Sequence, residues 1–169
     1  MNYGQIRKYD IANGPGIRTS IFVTGCSLNC KNCFNKDYQN PSFGNPWTEK
    51  EDELLISYLS DPNVAGLTIL GGEPFENAQG LISLLKKIKT NKSIWIYSGY
   101  TYDFLIKNDD TLELLKLVDV LVDGPFIESM KDLNLYFRGS RNQRIIDVRE
   151  SLLNDELILL DGYEYHIDK

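Results

Sequence analysis

The strongest constraint on the fold is an alternation: compact runs rich in β-branched and aromatic residues recur along the chain, separated by stretches of helical periodicity. Residues 19–24, 67–70, 93–97 and 118–122 read as four strands. Between the first two, Thr48 and Glu51 form a capping box. It opens a helix through Leu54, Leu55, Tyr58 and Leu59 that stops before Asp61-Pro62. A second helix starts near Asn77 and carries Leu81, Leu84, Leu85 and Ile88 on one face, and helical segments fall between residues 102 and 117. Residues 145–148 read as a fifth strand or an edge element, and 157–167, with Asp161-Gly162 at the turn, as a C-terminal hairpin. Alternating strands and helices imply right-handed crossovers and a parallel sheet. A closed eight-stranded barrel takes about 250 residues, and this chain has 169. The expectation is an α/β fold in a single domain, 1–169: an incomplete TIM-type barrel or a small open sheet.

Charge narrows the partners. Twenty-four acids against 18 bases give a net charge of −6, which argues against a nucleic-acid or anionic-membrane surface. No apolar stretch approaches the roughly 20 residues of a membrane-spanning helix. Arg7, Lys8, Asp10 and Arg18 interrupt the region where a signal peptide needs a clean apolar run, so a cytoplasmic protein is expected. There is one histidine, His166, which excludes any mechanism needing two. No nucleophile-elbow, Walker or zinc-protease pattern is present.

Each strand runs directly into an unusual turn: Gly25-Cys26, Gly71-Gly72-Glu73-Pro74, Ser98-Gly99-Tyr100 and Asp123-Gly124-Pro125. One such turn is ordinary punctuation. Four of them, at the carboxyl ends where parallel α/β sheets bind ligands, point to an active-site edge. The three cysteines, Cys26, Cys30 and Cys33, lie on it with CxxxCxxC spacing. Offsets of four and seven would also align three buried thiols on a helix, but Gly25, Asn29, Lys31 and Asn32 favour a loop. An odd thiol cluster in a cytosolic chain reads as a metal site, and thiolates suit iron–sulfur clusters or zinc. Three thiolates would leave one iron of a cluster open to an outside ligand, as a catalytic cluster requires. His166 would instead complete a closed Cys3His zinc site. Spacing alone leaves both open.

CxxxCxxC directly after the first strand of a partial α/β barrel resembles the radical S-adenosylmethionine superfamily, and residues 71–74 match its second signature. The approach Asn13-Gly14-Pro15-Gly16-Ile17-Arg18-Thr19 resembles the glycyl-radical-enzyme activases within it. Two further stretches, Asp119-Val120-Leu121-Val122-Asp123-Gly124-Pro125-Phe126 and Arg138-Gly139-Ser140-Arg141-Asn142-Gln143-Arg144, are similar to the activating proteins of anaerobic (class III) ribonucleotide reductase. The resemblance spans residues 13–148. In the wider superfamily an aromatic residue precedes the third cysteine and packs by the adenine. Here Asn32 stands there and Phe34 follows Cys33, a displacement the reductase activases share. It assigns the adenine contact to the backbone of 32–34 or to the Phe34 ring.

The resemblance implies a radical S-adenosylmethionine core. Cys26, Cys30 and Cys33 would bind three irons of a [4Fe–4S] cluster, and the fourth iron would take the amino and carboxylate groups of S-adenosylmethionine. Reductive cleavage would give methionine and a 5′-deoxyadenosyl radical, which takes a hydrogen from a glycine of the large catalytic subunit of the reductase. The three cysteines and Glu73 are the implied catalytic residues, with Glu73 accepting the substrate ammonium. The implied cofactor-binding residues are Asn32, Cys33, Phe34, Gly71, Gly72, Glu73, Ser98, Gly99 and Tyr100. Gly71 and Gly72 would allow close backbone approach, and residues 98–100 would touch the methionyl or ribose groups. Arg138 and Arg144 are candidates for neutralising the carboxylate or docking the partner. A flavodoxin or ferredoxin would supply the electron.

A partner glycine must enter from an open side, so loops 35–47 and 124–144 are expected on the exposed rim, with Tyr38, Phe43, Trp47, Phe126, Tyr136 and Phe137 as candidate contacts. Ordinary packing competes for each of these aromatics. Two other functions compete with the whole reading: an activase of a formate-lyase-type glycyl radical enzyme, and a zinc-stabilised binding module, which leaves residues 71–74 unexplained.

Overall fold

The computed structural model describes residues 1–163. Strands β2 (Arg18–Val23), β4 (Gly66–Gly71), β5 (Ser93–Tyr97) and β6 (Val120–Asp123) form the parallel centre of one sheet. Val23 lies opposite Gly71 and Tyr97 opposite Val122, so the four expected turns share one edge. The connecting helices are α1 (Glu49–Leu59), α2 (Ala78–Ile88), α3 (Tyr102–Leu105) and α4 (Asp109–Leu115).

The margins are antiparallel, a correction to the all-parallel expectation. β1 (Asn2–Asp10) pairs with β2, the two-residue β3 (Asn45–Pro46) with β1, and β7 (Arg144–Asp147) with β6. The row β3-β1-β2-β4-β5-β6-β7 is linear, an open mixed sheet rather than a closed barrel. A final helix, α5 (Val148–Asn154), follows β7. Of the expected C-terminal hairpin, Leu159 makes an isolated antiparallel bridge to Ile146. Its returning arm, 164–167, lies outside the described residues, as does His166.

Strand alternation sorts the core onto two faces. Ile21, Val23, Ile69, Ile96, Leu121 and Ile146 face one side, where Leu55 of α1, Leu81 of α2, Leu105 of α3, Leu114 of α4 and Val148 of α5 join them in a single cluster. The opposite face carries Trp95, Val120, Val122 and Ile145, packed by Phe137, Leu160 and Tyr163. Among the described residues no helix covers that second face, and the cavity described below opens on it. Arg18, 1% exposed, plugs its amino-terminal end. The guanidinium donates to Thr68 Oγ1 at 2.7 Å and to the carbonyls of Leu67 and Ser93, each at 2.8 Å, and burial lowers its pKa to about 10. Among the described residues no helix is long and apolar enough to cross a membrane.

The capping box is present: the Thr48 N–H donates to Glu51 Oε2 at 2.8 Å, and Thr48 Oγ1 accepts from the Lys50 N–H at 3.3 Å. Thr48→Ala is expected to lower stability by about 1 kcal/mol, read as a shift in urea midpoint without a change in slope.

Candidate active site

The cysteine segment leaves β2 as an irregular loop, not a helix, which removes the reading of three core thiols on one helical face. Asn29 and Asn32 sit at φ 55° and 56°, in the left-handed region where asparagine is best tolerated. The loop base is closed by Gly25 N–H to the Tyr38 carbonyl at 2.7 Å and Cys26 N–H to the Gln39 carbonyl at 3.1 Å. All three cysteines are free and half-buried. Together they line one cavity of about 540 Å³, the size of a small-molecule site.

The turn after β4 is tied to this loop. The Gly72 N–H donates to the Val23 carbonyl at 2.8 Å and the Glu73 N–H to the Gly25 carbonyl at 2.7 Å. Gly71 has φ +118°, and a Cβ there would meet the Val23 carbonyl oxygen at 2.3 Å. A Cβ on Gly72 would meet the Gly25 oxygen at 2.5 Å. The close approach these glycines permit is thus first of all that of the β4 turn to the cysteine loop.

Glu73 is 1% exposed yet lines the cavity. Its Oε1 accepts from the Phe75 N–H at 3.0 Å and the Ser98 hydroxyl at 2.9 Å, and its Oε2 from the Gly99 N–H at 2.8 Å. Burial pushes its pKa up to about 7, against the lowering effect of those donors. Burial also raises Cys26 to about 11, opposed by a backbone hydrogen bond at Leu28 and aided by the charges of Glu73 and Glu76.

Of the residues singled out from sequence, the three cysteines, Phe34, Gly71, Gly72, Glu73, Ser98 and Gly99 share the cavity wall. Tyr100 and Asn32 do not. The Tyr100 hydroxyl donates to Glu76, and its ring stacks on Phe104 at 4.8 Å. Asn32 turns outward and donates to Glu128. Phe34 is 75% exposed at the mouth, against Phe126 at 5.7 Å.

The two arginines separate. Arg138 lines the cavity and donates to the Tyr163 carbonyl at 2.8 Å. Arg144 is structural: Nε and Nη2 hold the buried carboxylate of Asp123 at 3.0 and 2.5 Å, tying β7 to β6. Arg144→Met leaves that carboxylate the Tyr102 N–H as its remaining partner among the described residues and is expected to cost about 2 kcal/mol in urea unfolding. Arg144→Lys, which cannot bind both oxygens in a fork, should recover only part of this.

Three of the six rim aromatics serve packing. Tyr38 lies between Phe22 and Phe43, Trp47 donates to Asp52 at 2.7 Å, and Phe137 packs on Trp95. Tyr136 and Phe43 remain exposed.

Arg7 and Tyr97 are among the cavity residues that the sequence reading does not single out. Arg7 belongs to β1, a strand not anticipated; it pairs with Ser20, and its guanidinium lies 4.8 Å above the Phe22 ring. Tyr97 donates from its hydroxyl to the Phe137 carbonyl at 2.9 Å, and burial raises its pKa. Alternation along 93–97, which puts it on the face of Trp95, was the available signal.

Among the described residues no three cysteine, histidine or carboxylate side chains converge as a single metal ion needs. Three free thiols lining one cavity supply the soft ligands that an iron–sulfur cluster takes.

Comparison with known proteins agrees. The family described as a 4Fe-4S single cluster domain matches residues 12–146. The anaerobic ribonucleoside-triphosphate reductase-activating protein of Escherichia coli (strain K12) is 36% identical over 156 residues, covering 88% of this chain and all of the relative. Its namesake from Vibrio cholerae is 39% identical over 153 residues, covering 86% of this chain and 97% of the relative. That of Enterobacteria phage T4 is 37% identical over 150 residues, covering 86% and 93%. With matches of this length joined to a thiol-lined cavity at the carboxyl edge, the chain belongs to the family of anaerobic ribonucleoside-triphosphate reductase-activating proteins.

Proposed function

We propose that Cys26, Cys30 and Cys33 each bind one iron of a [4Fe–4S] cluster, that the fourth iron binds S-adenosylmethionine, and that the chain installs a glycyl radical on the large subunit of the anaerobic reductase. The observation that carries this is the convergence on one cavity of three free thiols, the Gly71–Gly72–Glu73 turn and the Ser98–Gly99 turn. When bound, the cluster would supply one electron, from a flavodoxin or ferredoxin, to split S-adenosylmethionine into methionine and the 5′-deoxyadenosyl radical that oxidises the partner glycine.

The chain's own residues bind and orient. A carboxylate offers about four acceptor directions; protein donors take three at Glu73, and the fourth accepts an N–H from the substrate's amino group. Phe22, Tyr97 and Phe137 give the cavity apolar walls that limit water. The second face of the open sheet, with no covering helix among the described residues, supports the reading of a radical S-adenosylmethionine core. It leaves room for a protein loop to reach the adenosyl carbon. Phe34 on the cavity wall and the exposed side chains of Leu133 and Tyr136 suit contact with that partner in the cytoplasm.

The test is activation itself. Anaerobic incubation with the reductase large subunit, S-adenosylmethionine and a reductant should produce the electron spin resonance doublet of a glycyl radical. A radical on a formate-lyase-type enzyme and none on the reductase would overturn the substrate assignment.

A further inference from the structure

Beyond the cluster ligands, one side chain joins three of the four turns at the carboxyl edge. Glu76 lies in the short 3-10 turn Pro74–Asn77 that follows β4. Its carboxylate accepts from the Ser27 N–H at 3.0 and 3.1 Å, from the Ser27 hydroxyl at 2.6 Å and from the Tyr100 hydroxyl at 3.1 Å. Ser27 directly follows Cys26, and Tyr100 belongs to the turn after β5. On the other side of Cys26, Asn77 Nδ2 donates to the Thr24 carbonyl at 3.0 Å. Cys26 is therefore bracketed by consecutive residues of one turn. The Tyr100 ring stacks on Phe104 at 4.8 Å. All three donors are neutral groups, from Ser27 and Tyr100.

We propose that Glu76 is a positioning residue: it clamps the Cys26 arm of the cysteine loop to the turns after β4 and β5, and its charge holds the cluster at a lower reduction potential than a neutral side chain would. The fixed arm sets the direction of the Cys26 sulfur before the cluster enters, and a negative charge next to a cluster ligand disfavours adding an electron to it. The potential half of this inference rests on the cluster assignment above. The clamp half stands on the protein alone.

Two variants separate shape from charge. In Glu76→Ala, alkylation of Cys26 by iodoacetamide in the metal-free protein should accelerate roughly fivefold or more as the arm opens. In Glu76→Gln, which retains one acceptor oxygen, it should stay within about twofold of the parent. After anaerobic reconstitution, both variants should show a cluster midpoint potential shifted positive of the parent in a spectroscopic redox titration. A parent-like potential in Glu76→Gln, or parent-like alkylation in Glu76→Ala, overturns the proposal. Failure of the parent protein to take up iron would count against the cluster assignment, and the alkylation rates would still decide the clamp.

Discussion

Cys30→Ala is expected to purify without an iron–sulfur cluster and to generate no glycyl radical, yet to unfold within about 1 kcal/mol of the parent. The separation follows from where Cys30 sits. It is half-buried in an irregular loop and belongs to neither apolar cluster, and its backbone carbonyl accepts from the Cys33 N–H at 3.3 Å. Truncation therefore removes a thiol without opening a core cavity, the usual source of large losses. Two remaining thiolates anchor only two irons, too few to hold the group. Iron and sulfide analysis gives the first readout, and circular dichroism through a urea titration gives the second. Four irons and full activation in this variant would contradict the ligand assignment.

Glu73 carries the second large effect. Glu73→Ala should retain the cluster but bind S-adenosylmethionine about a hundredfold more weakly, the scale of one lost charge-assisted hydrogen bond. The pH dependence follows from the same burial. With its pKa raised to about 7, the parent carboxyl is neutral below that pH and charged above it. Affinity for the substrate's amino group should thus rise as pH increases through 7 and the acceptor ionises, by up to about tenfold per unit on the acid side, and the Ala variant should lose that step. Folding responds in the opposite sense. The folded state keeps a proton that the unfolded chain, near 4.5, has released, so this group's contribution to stability declines as pH rises from about 4.5 to 7. Anaerobic isothermal titration from pH 6 to 8.5 measures the first effect. A flat profile in the parent would remove the charged acceptor from the account.

The central strands were legible because each is a short apolar run bounded by a glycine-bearing turn, and the site was legible because the cysteines and residues 71–74 follow those strands without a gap. β1 was not. Its residues Tyr3, Gln5, Arg7 and Tyr9 are polar or amphipathic and sit on an edge partnered only by two-residue β3, so hydrophobic patterning had little to register. Missing β1 concealed Arg7. Tyr100 was placed in the site by adjacency to Ser98 and Gly99, but the chain turns between them, and its hydroxyl serves Glu76 instead. The ion pair of Arg144 is not legible in the sequence because its partner, Asp123, lies 21 residues upstream and meets it through the β6–β7 register.

The most direct measurement is electron spin resonance of the anaerobically purified, reduced protein with and without S-adenosylmethionine, alongside iron and sulfide analysis. About four irons per chain, with a cluster signal that changes when S-adenosylmethionine is added, is the predicted result, because one iron is free to bind it. Zinc in place of iron, or a cluster signal indifferent to S-adenosylmethionine, would contradict the open-iron site on which the account depends.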